Sequence, residues 1–322
     1  MSSGRWIDVV GVATLGVLLV LAAVGQETYT LKVILWISLN ILAAVALRFV
    51  MLTGELNIAT AAFWGIGAYA AGILTAWYKV PFALAILLGG FASMLVSVAF
   101  GYVTLRTKGP YFMLISFAFT EVLRLIYTQS EVIGGNSGMV GIYPPRWLDP
   151  YYSLLVVAAT TALVGVMFWL ERGAFGRLLK AIQNNDAVVE SVGIDVQKTK
   201  ILCLALASFA AGIGGALFAH ANRVISPGDF SFLLAVYALA YVKIGGETHV
   251  TGAIVGAVAL SLLNQYVISF GHYEHLLFGG AIVVAMLVLP KGLLGLIDRM
   301  TRKTSLPSVG AAASRQKEVV DG

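Results

Sequence analysis

Glu55 and Asn57 stand two residues apart in LTGELNIATAAF, where an apolar run of bilayer length begins. A carboxylate and an amide at such a place need partners or water, because burying polar groups unpaired is expensive. Two settings satisfy them equally on the sequence: contact with the headgroup layer, or a broken helix whose freed polar ends line an internal route. Glu121 and Arg124, three residues apart, share a helical face and suit an intrahelical ion pair, with contact to another protein as the alternative. His220 with Asn222 and Arg223, and Asn264 with Gln265, mark span ends or interior polar contacts. His272, Glu274 and His275 suit a wetted turn or a weak metal site, although none of the four histidines shows metal-ligand spacing. The run from Gly65 through Gly67 to Ala70 satisfies G-x-G-x-x-A formally. A dinucleotide site would need a preceding strand in a soluble βαβ unit, so this is a small-residue packing face, as are Gly212, Gly214 and Gly215. The sequence contains no G-x-x-x-x-G-K-[S/T], no H-E-x-x-H, no G-x-S-x-G and no convincing carboxylate pair. The expectation is a protein that is not an enzyme by itself. The single Cys203, inside an apolar run, is a packing residue and excludes disulfide, zinc or iron–sulfur sites built from cysteines.

The elements that carry these groups follow from hydropathy. Of 322 residues 59% are hydrophobic and 11% charged, with mean hydropathy +0.89. A soluble domain carries about 25% charged residues, so this chain is solvated mainly by lipid. The predicted fold is an all-α polytopic transmembrane bundle of ten segments, near 7–24, 31–51, 57–78, 82–104, 110–128, 151–170, 200–220, 231–246, 250–270 and 275–290. Segment 231–246 is short for a full crossing. The 35 glycines suit tightly packed membrane helices, and an inverted repeat or broken helices are compatible with the pattern. The first segment has the positive start of a signal peptide, but its core is long and no small-x-small cleavage site ends it, so it reads as a span. Residues 1–300 form the membrane domain, and the polar, aperiodic 301–322 reads as a disordered tail.

The longest polar interruption is 171–199, AFGRLLKAIQNNDAVVESVGIDVQKTK with its flanks. Leu178, Leu179, Ile182, Val189 and Val192 make an apolar stripe at helical spacing, with Arg177, Lys180, Asn184, Asn185, Asp186 and Glu190 opposite. The pattern predicts one helix over 176–193, ended by Gly193, which tolerates positive φ. Such a helix either lies on lipid headgroups or docks a soluble protein. Placing it in the cytoplasm puts both termini there too. Of 21 lysines and arginines, Lys32, Lys79, Arg124, Arg146 and Arg223 then fall outside and the remaining sixteen inside, the asymmetry of the positive-inside rule. The net charge of +5 is thus an orientation signal and not a nucleic-acid footprint. Residues 129–150 form the one sizeable outer loop, with Pro144-Pro145 and the amphipathic Tyr143 and Trp147; it reads as a docking surface, an interfacial loop held by aromatic residues, or both.

Three stretches resemble one family. Gly176, Arg177, Leu179, Ala181, Ile182, Asn185, Asp186, Glu190, Ser191, Gly193 and Ile194, followed by Ala211, Gly212, Gly215, Ala216 and Leu217, look like the cytoplasmic loop and next span of permeases from branched-chain amino acid ABC importers of the LivM type. LTGELNIATAAFWGIGAYAAGIL (52–74) and GGNSGMVGI (134–142) are similar to two further patterns of that family, and the similarity spans roughly 35–295. Val188 departs from it, since the family usually has a small residue there. The resemblance implies a membrane subunit of an ATP-driven, binding-protein-dependent importer in the bacterial inner membrane. It further implies that the 176–193 helix couples to the ATPase through Gly176, Arg177, Leu179, Ala181, Ile182, Asn185, Asp186, Glu190 and Gly193. Glu55, Asn57, Phe63, Gly65 and Tyr69 would lie on the translocation pathway, and Asn136, Gly138, Arg146 and Trp147 would meet the binding protein. Expected partners are two ABC ATPase subunits, which hold ATP and Mg, a second homologous permease in a heterodimer, a periplasmic substrate-binding protein, and membrane lipid. This chain itself would bind no cofactor, metal or nucleic acid. Urea, amides and aromatic acids are alternative cargoes within the family. A stand-alone channel or secondary transporter is the alternative of another class, although it would call for charges near the midplane.

Overall fold

The computed structural model describes residues 3–25, 28–268, 273–289 and 292–295. The expected tail 301–322 lies outside the described residues, as do His272 and the side chains of Glu274 and His275. Among the described residues these α-helices run in chain order: α1 Ser3–Val24, α2 Thr28–Met51, α3 Thr60–Ala76, α4 Phe82–Thr104, α5 Pro110–Gln129, α6 Tyr152–Arg172, α7 Ala174–Asn184, α8 Asp186–Ser191, α9 Val196–Asn222, α10 Phe232–Gly245, α11 Val250–Val267 and α12 Glu274–Val288. Each of the ten expected segments corresponds to one helix. Eight are long and apolar enough to cross a membrane; α3 and α10 are shorter. The protein is therefore a multi-pass membrane bundle. Among the described residues one antiparallel strand pair, β1 (Met139–Val140) with β2 (Val224–Ile225), ties the loop after α5 to the loop after α9.

Helices α2 and α9 form the centre: 83% of the apolar window of α2 and 72% of that of α9 are buried, against 22% for α5. On one side α3 and α4 pack on α9; on the other α6, α10 and α11 pack on α2, with α1 laid across α6 and α11. In lipid such packing rests on close contact between backbones and not on expulsion of water. Here the small-residue faces meet. A methyl group added at Gly67 would lie 2.1 Å from the Gly212 carbonyl oxygen, and one at Gly215 would lie 1.9 Å from that of Trp64. Cys203 is fully buried against the Phe49 carbonyl, as a packing residue is.

Two breaks interrupt this regularity. The third segment becomes helical only at Thr60, leaving residues 52–59 irregular. Helix α10 has 14 residues, a rise of about 21 Å against a hydrocarbon thickness of about 30 Å. It is preceded by β2 and a 3-10 turn, Pro227–Phe230, so the expected 231–246 segment is one short helix entered from a strand-and-turn segment. Phe230 dips inward to meet Tyr69, Tyr127 and Phe218.

Candidate functional site

Helices α7 and α8 lie at one end of the bundle, called here the α7 end. The expected single helix over 176–193 is two helices. Asn185 stands between them in extended conformation (φ −163°, ψ 105°), and its side-chain oxygen accepts from the N–H groups of Ala187 and Val188. The short amide side chain competes with the backbone ladder at that point and caps the second helix. The inward stripe is Leu179, Ile182 and Val189, all at most 5% exposed, whereas Val192 of the expected stripe is exposed. Gly176 lets α7 begin hard against α6, since a methyl group there would sit 1.8 Å from the Glu171 carbonyl oxygen. Gly193 ends α8 at φ +84°, as its sequence position predicts. Arg177, Ala181, Asn185, Glu190 and Gly193 face outward, away from the bundle.

Two charge networks hold this pair of helices to the membrane core. In the first, Arg48 at the end of α2 donates to both carboxylate oxygens of Glu171 on α6 (2.7 and 3.0 Å) and through Nε to the Glu247 carbonyl (2.8 Å). Lys180 of α7 joins Glu171 at 3.3 Å. Beside them a recess of about 370 Å³ is lined by Arg48, Lys180, Gln183, Asn184, Glu247 and Thr248, among others. In the second, Lys200 at the start of α9 donates to Glu55 (2.9 Å) and to Asp186 of α8 (3.3 Å). Lys108, before α5, holds Asp186 from outside at 2.6 Å. Partial burial opposes ionisation of Asp186, but Lys108 and Lys200 outweigh it and hold the carboxyl below its ordinary value. The hydrogen bond to Asp186 raises Lys108 in turn.

Glu55 is thus buried and paired. It is 4% exposed, paired with an equally buried Lys200, and its second oxygen accepts the Gly109 N–H at 2.9 Å. The backbone that follows enters the bundle unwound. Ile58 N–H donates to Ser116 Oγ (3.1 Å), Thr120 Oγ1 donates to the Ile58 carbonyl (3.3 Å), and Asn57 accepts from Ala59 N–H (3.1 Å). Ser116 lies six residues into α5 from Pro110, about 9 Å along its axis. Non-helical backbone at such depth persists only with every polar group satisfied, and α5 supplies the hydroxyls. Lys200 therefore connects, through single contacts, a surface helix to an unwound element inside the membrane domain.

The other sequence candidates fall elsewhere. Phe63, Gly65 and Tyr69 are buried on α3: Phe63 against Phe100 and Phe119, Gly65 under Phe230 and Tyr127, Tyr69 stacked on Tyr127 at 4.3 Å. They close the interior of the bundle in this conformation. Asn136, Arg146 and Trp147 are exposed at the opposite end, while Gly138 is buried beside Ile225. There Arg223 pairs with Asp149 (3.0 Å) and stacks on Tyr143. Among the described residues no group of three or more His, Cys, Asp or Glu could hold a metal. Sequence reasoning missed Arg48, Glu171, Lys108 and Lys200 as site residues. Arg48 was the most findable: a charge inside VALRFVM, within a span, demands a partner.

Comparison with known proteins agrees with this architecture. The family described as the permease component of the branched-chain amino acid transport system matches residues 29–290. The chain belongs to that family. The permease is 26% identical over 292 residues to the high-affinity branched-chain amino acid transport permease LivM of Salmonella typhimurium, covering 81% of this chain and 67% of LivM. The LivM of Escherichia coli K12 is also 26% identical, over 88% of this permease and 71% of LivM. The ribose import permease RbsC of Bacillus subtilis is 25% identical over 78% and 81% of the two chains. No solved structure matches at the same level of significance. The permease is thus a transport component and not a member of an enzyme family, and its relatives move both amino acids and a sugar.

Proposed function

We propose that this chain is the membrane-spanning permease of an ATP-driven, binding-protein-dependent importer for branched-chain or related hydrophobic amino acids. The observation that carries the reading is the Lys200 junction, which binds α8 and the unwound 55–59 segment to one ammonium group. A surface helix tied in this way can pass a displacement to the interior. ATP and Mg are held by two separate ATPase subunits that close against the exposed face of α7, Arg177 and Ala181 included. Their closure shifts α7–α8, the junction moves the unwound segment, and the α3 side of the bundle changes between two packings. The α7 end is cytoplasmic, which places both termini there and gives the basic loops their inside position in the bacterial inner membrane. The opposite end, with Asn136, Arg146 and Trp147, receives a periplasmic binding protein. A second, homologous permease completes the translocation route, with Glu55, Asn57, Phe63, Gly65 and Tyr69 on the moving wall. Membrane lipid covers the remaining apolar faces.

The test is uptake into proteoliposomes holding the permease with the ATPases and second permease that copurify with it. ATP-dependent accumulation of labelled leucine, on addition of the binding protein, supports the reading. Accumulation driven by an ion gradient without ATP contradicts its energy source, and uptake of ribose in place of leucine contradicts its cargo.

A further inference from the structure

Helix α5 carries an ion pair where a lipid-facing helix should have none. Glu121 and Arg124 lie about 16 and 21 Å along the axis from Pro110, in a helix about 30 Å long. Arg124 Nε donates to Glu121 Oε2 at 2.7 Å. The side chains are 24% and 35% exposed, on the same side as Phe117 and Leu125, so the pair opens to the outside of this chain in the second half of α5. Charges at that depth face a protein or an aqueous route, not hydrocarbon. The pair is also incompletely satisfied. Glu121 Oε1 is buried without a hydrogen-bond partner, and Arg124 makes no side-chain hydrogen bond through Nη1 or Nη2 to any described residue. Three residues beyond Arg124, the Tyr127 hydroxyl is buried and unpartnered, as is that of Tyr69 stacked on it.

The start of α10 adds a second source of positive potential. Phe232, its first residue, packs edge-on against Phe117 (5.2 Å), one turn nearer the α7 end than Glu121. Helix α10 runs toward the α7 end, so its N-terminal amides point the other way, toward the level of Glu121 and Arg124. No side chain caps them, and the positive end of the helix dipole favours a carboxylate there. The remaining guanidinium donors of Arg124 stand beside the Glu121 carboxylate, with Phe117 and Leu125 on the same helix and Phe232 against Phe117. An α-amino acid has the complementary chemistry: a carboxylate, an adjacent ammonium and an apolar side chain.

We propose that Glu121 and Arg124 form a subsite for the zwitterionic head of an α-amino acid in transit, Arg124 receiving the carboxylate and Glu121 the ammonium. The proposal rests on the amino-acid importer reading above. It separates cargo from the uncharged solutes, urea and sugars, which would gain nothing from an opposed pair of charges.

The experiment compares wild type with the double variant Glu121→Leu/Arg124→Leu in the reconstituted importer. Exchanging both charges for apolar groups leaves no lone charge behind, and copurification of the ATPases and the second permease is measured alongside uptake. The expected result is a loss of leucine uptake by about tenfold or more, the scale of charged hydrogen bonds removed from a ligand. Uptake at the wild-type rate overturns the proposal and makes the pair structural. Wild type that takes up no leucine instead defeats the functional reading. As a measurement independent of any variant's folding, photo-leucine is activated on the wild-type importer and the adducts are mapped. Leucine-competed labelling of 113–128 and 230–236 supports the subsite; labelling confined to other segments refutes it.

Discussion

Lys200 is the residue on which the coupling account turns, because one buried ammonium serves a carboxylate inside the bundle and another on a surface helix. Lys200→Met leaves Glu55 buried and unpaired, a situation that costs about 3–5 kcal/mol. The expected outcome is a large fall in the unfolding temperature of the detergent-solubilised chain. Glu55→Gln added to Lys200→Met is expected to recover most of it, and equal melting of the single and double variants would show that no such pairing exists. Part of this was legible in the sequence. Glu55 and Asn57 were conspicuous as polar residues opening an apolar run, and burial did require partners. The partners were not legible, since Lys200 is 145 positions away from Glu55 and Arg48 is 123 from Glu171. Pairings at that range are fixed by how whole helices pack, which local pattern does not encode.

At the scale of elements, α8 depends on its cap and on its one carboxylate contact with the core. Asn185→Ala removes the acceptor for two N–H groups and is expected to destabilise α8 by about 1 kcal/mol. Hydrogen exchange of amides 186–191 should quicken while α9 stays protected; unchanged exchange would mean that α8 is held by packing alone. Asp186 has its carboxyl held below the ordinary value in the folded protein. Its contribution is therefore complete above the ordinary aspartate range, near pH 4, and is lost as pH falls through the lowered value. Protection of α8, corrected for intrinsic exchange, is expected to be flat from pH 8 to 5 and to drop only below about pH 4. A drop near pH 6 would point to a different titrating group. The ten apolar helices were readable because bilayer thickness sets their length. The break at Asn185 and the strand-and-turn segment 224–230 were not, because each is decided by local side-chain or strand pairing that leaves hydropathy almost unchanged.

At the scale of the molecule, the two ends of the bundle are differently equipped. The α7 end gathers Arg48, Lys108, Arg172, Lys180, Lys198 and Lys200, and its outward helices keep Arg177 and Ala181 exposed. The opposite end offers a strand-tied loop system with Arg146, Trp147 and Arg223. Between them aromatic side chains meet around Phe230, and the proposed transport cycle calls for a second packing of α3, α5 and the start of α10. That division of labour fits a subunit driven from one end and loaded from the other. Affinity purification from the native membrane, of the tagged chain and of its Arg177→Glu variant, tests this most directly. Arg177 is exposed and, among the described residues, its side chain bonds the Arg172 carbonyl alone, so the variant keeps the fold. The account predicts that P-loop ATPases and a second permease accompany the wild type, and that Arg177→Glu loses the ATPases while keeping the second permease. Wild type recovered without any ATPase, or a variant that retains it fully, would contradict the account.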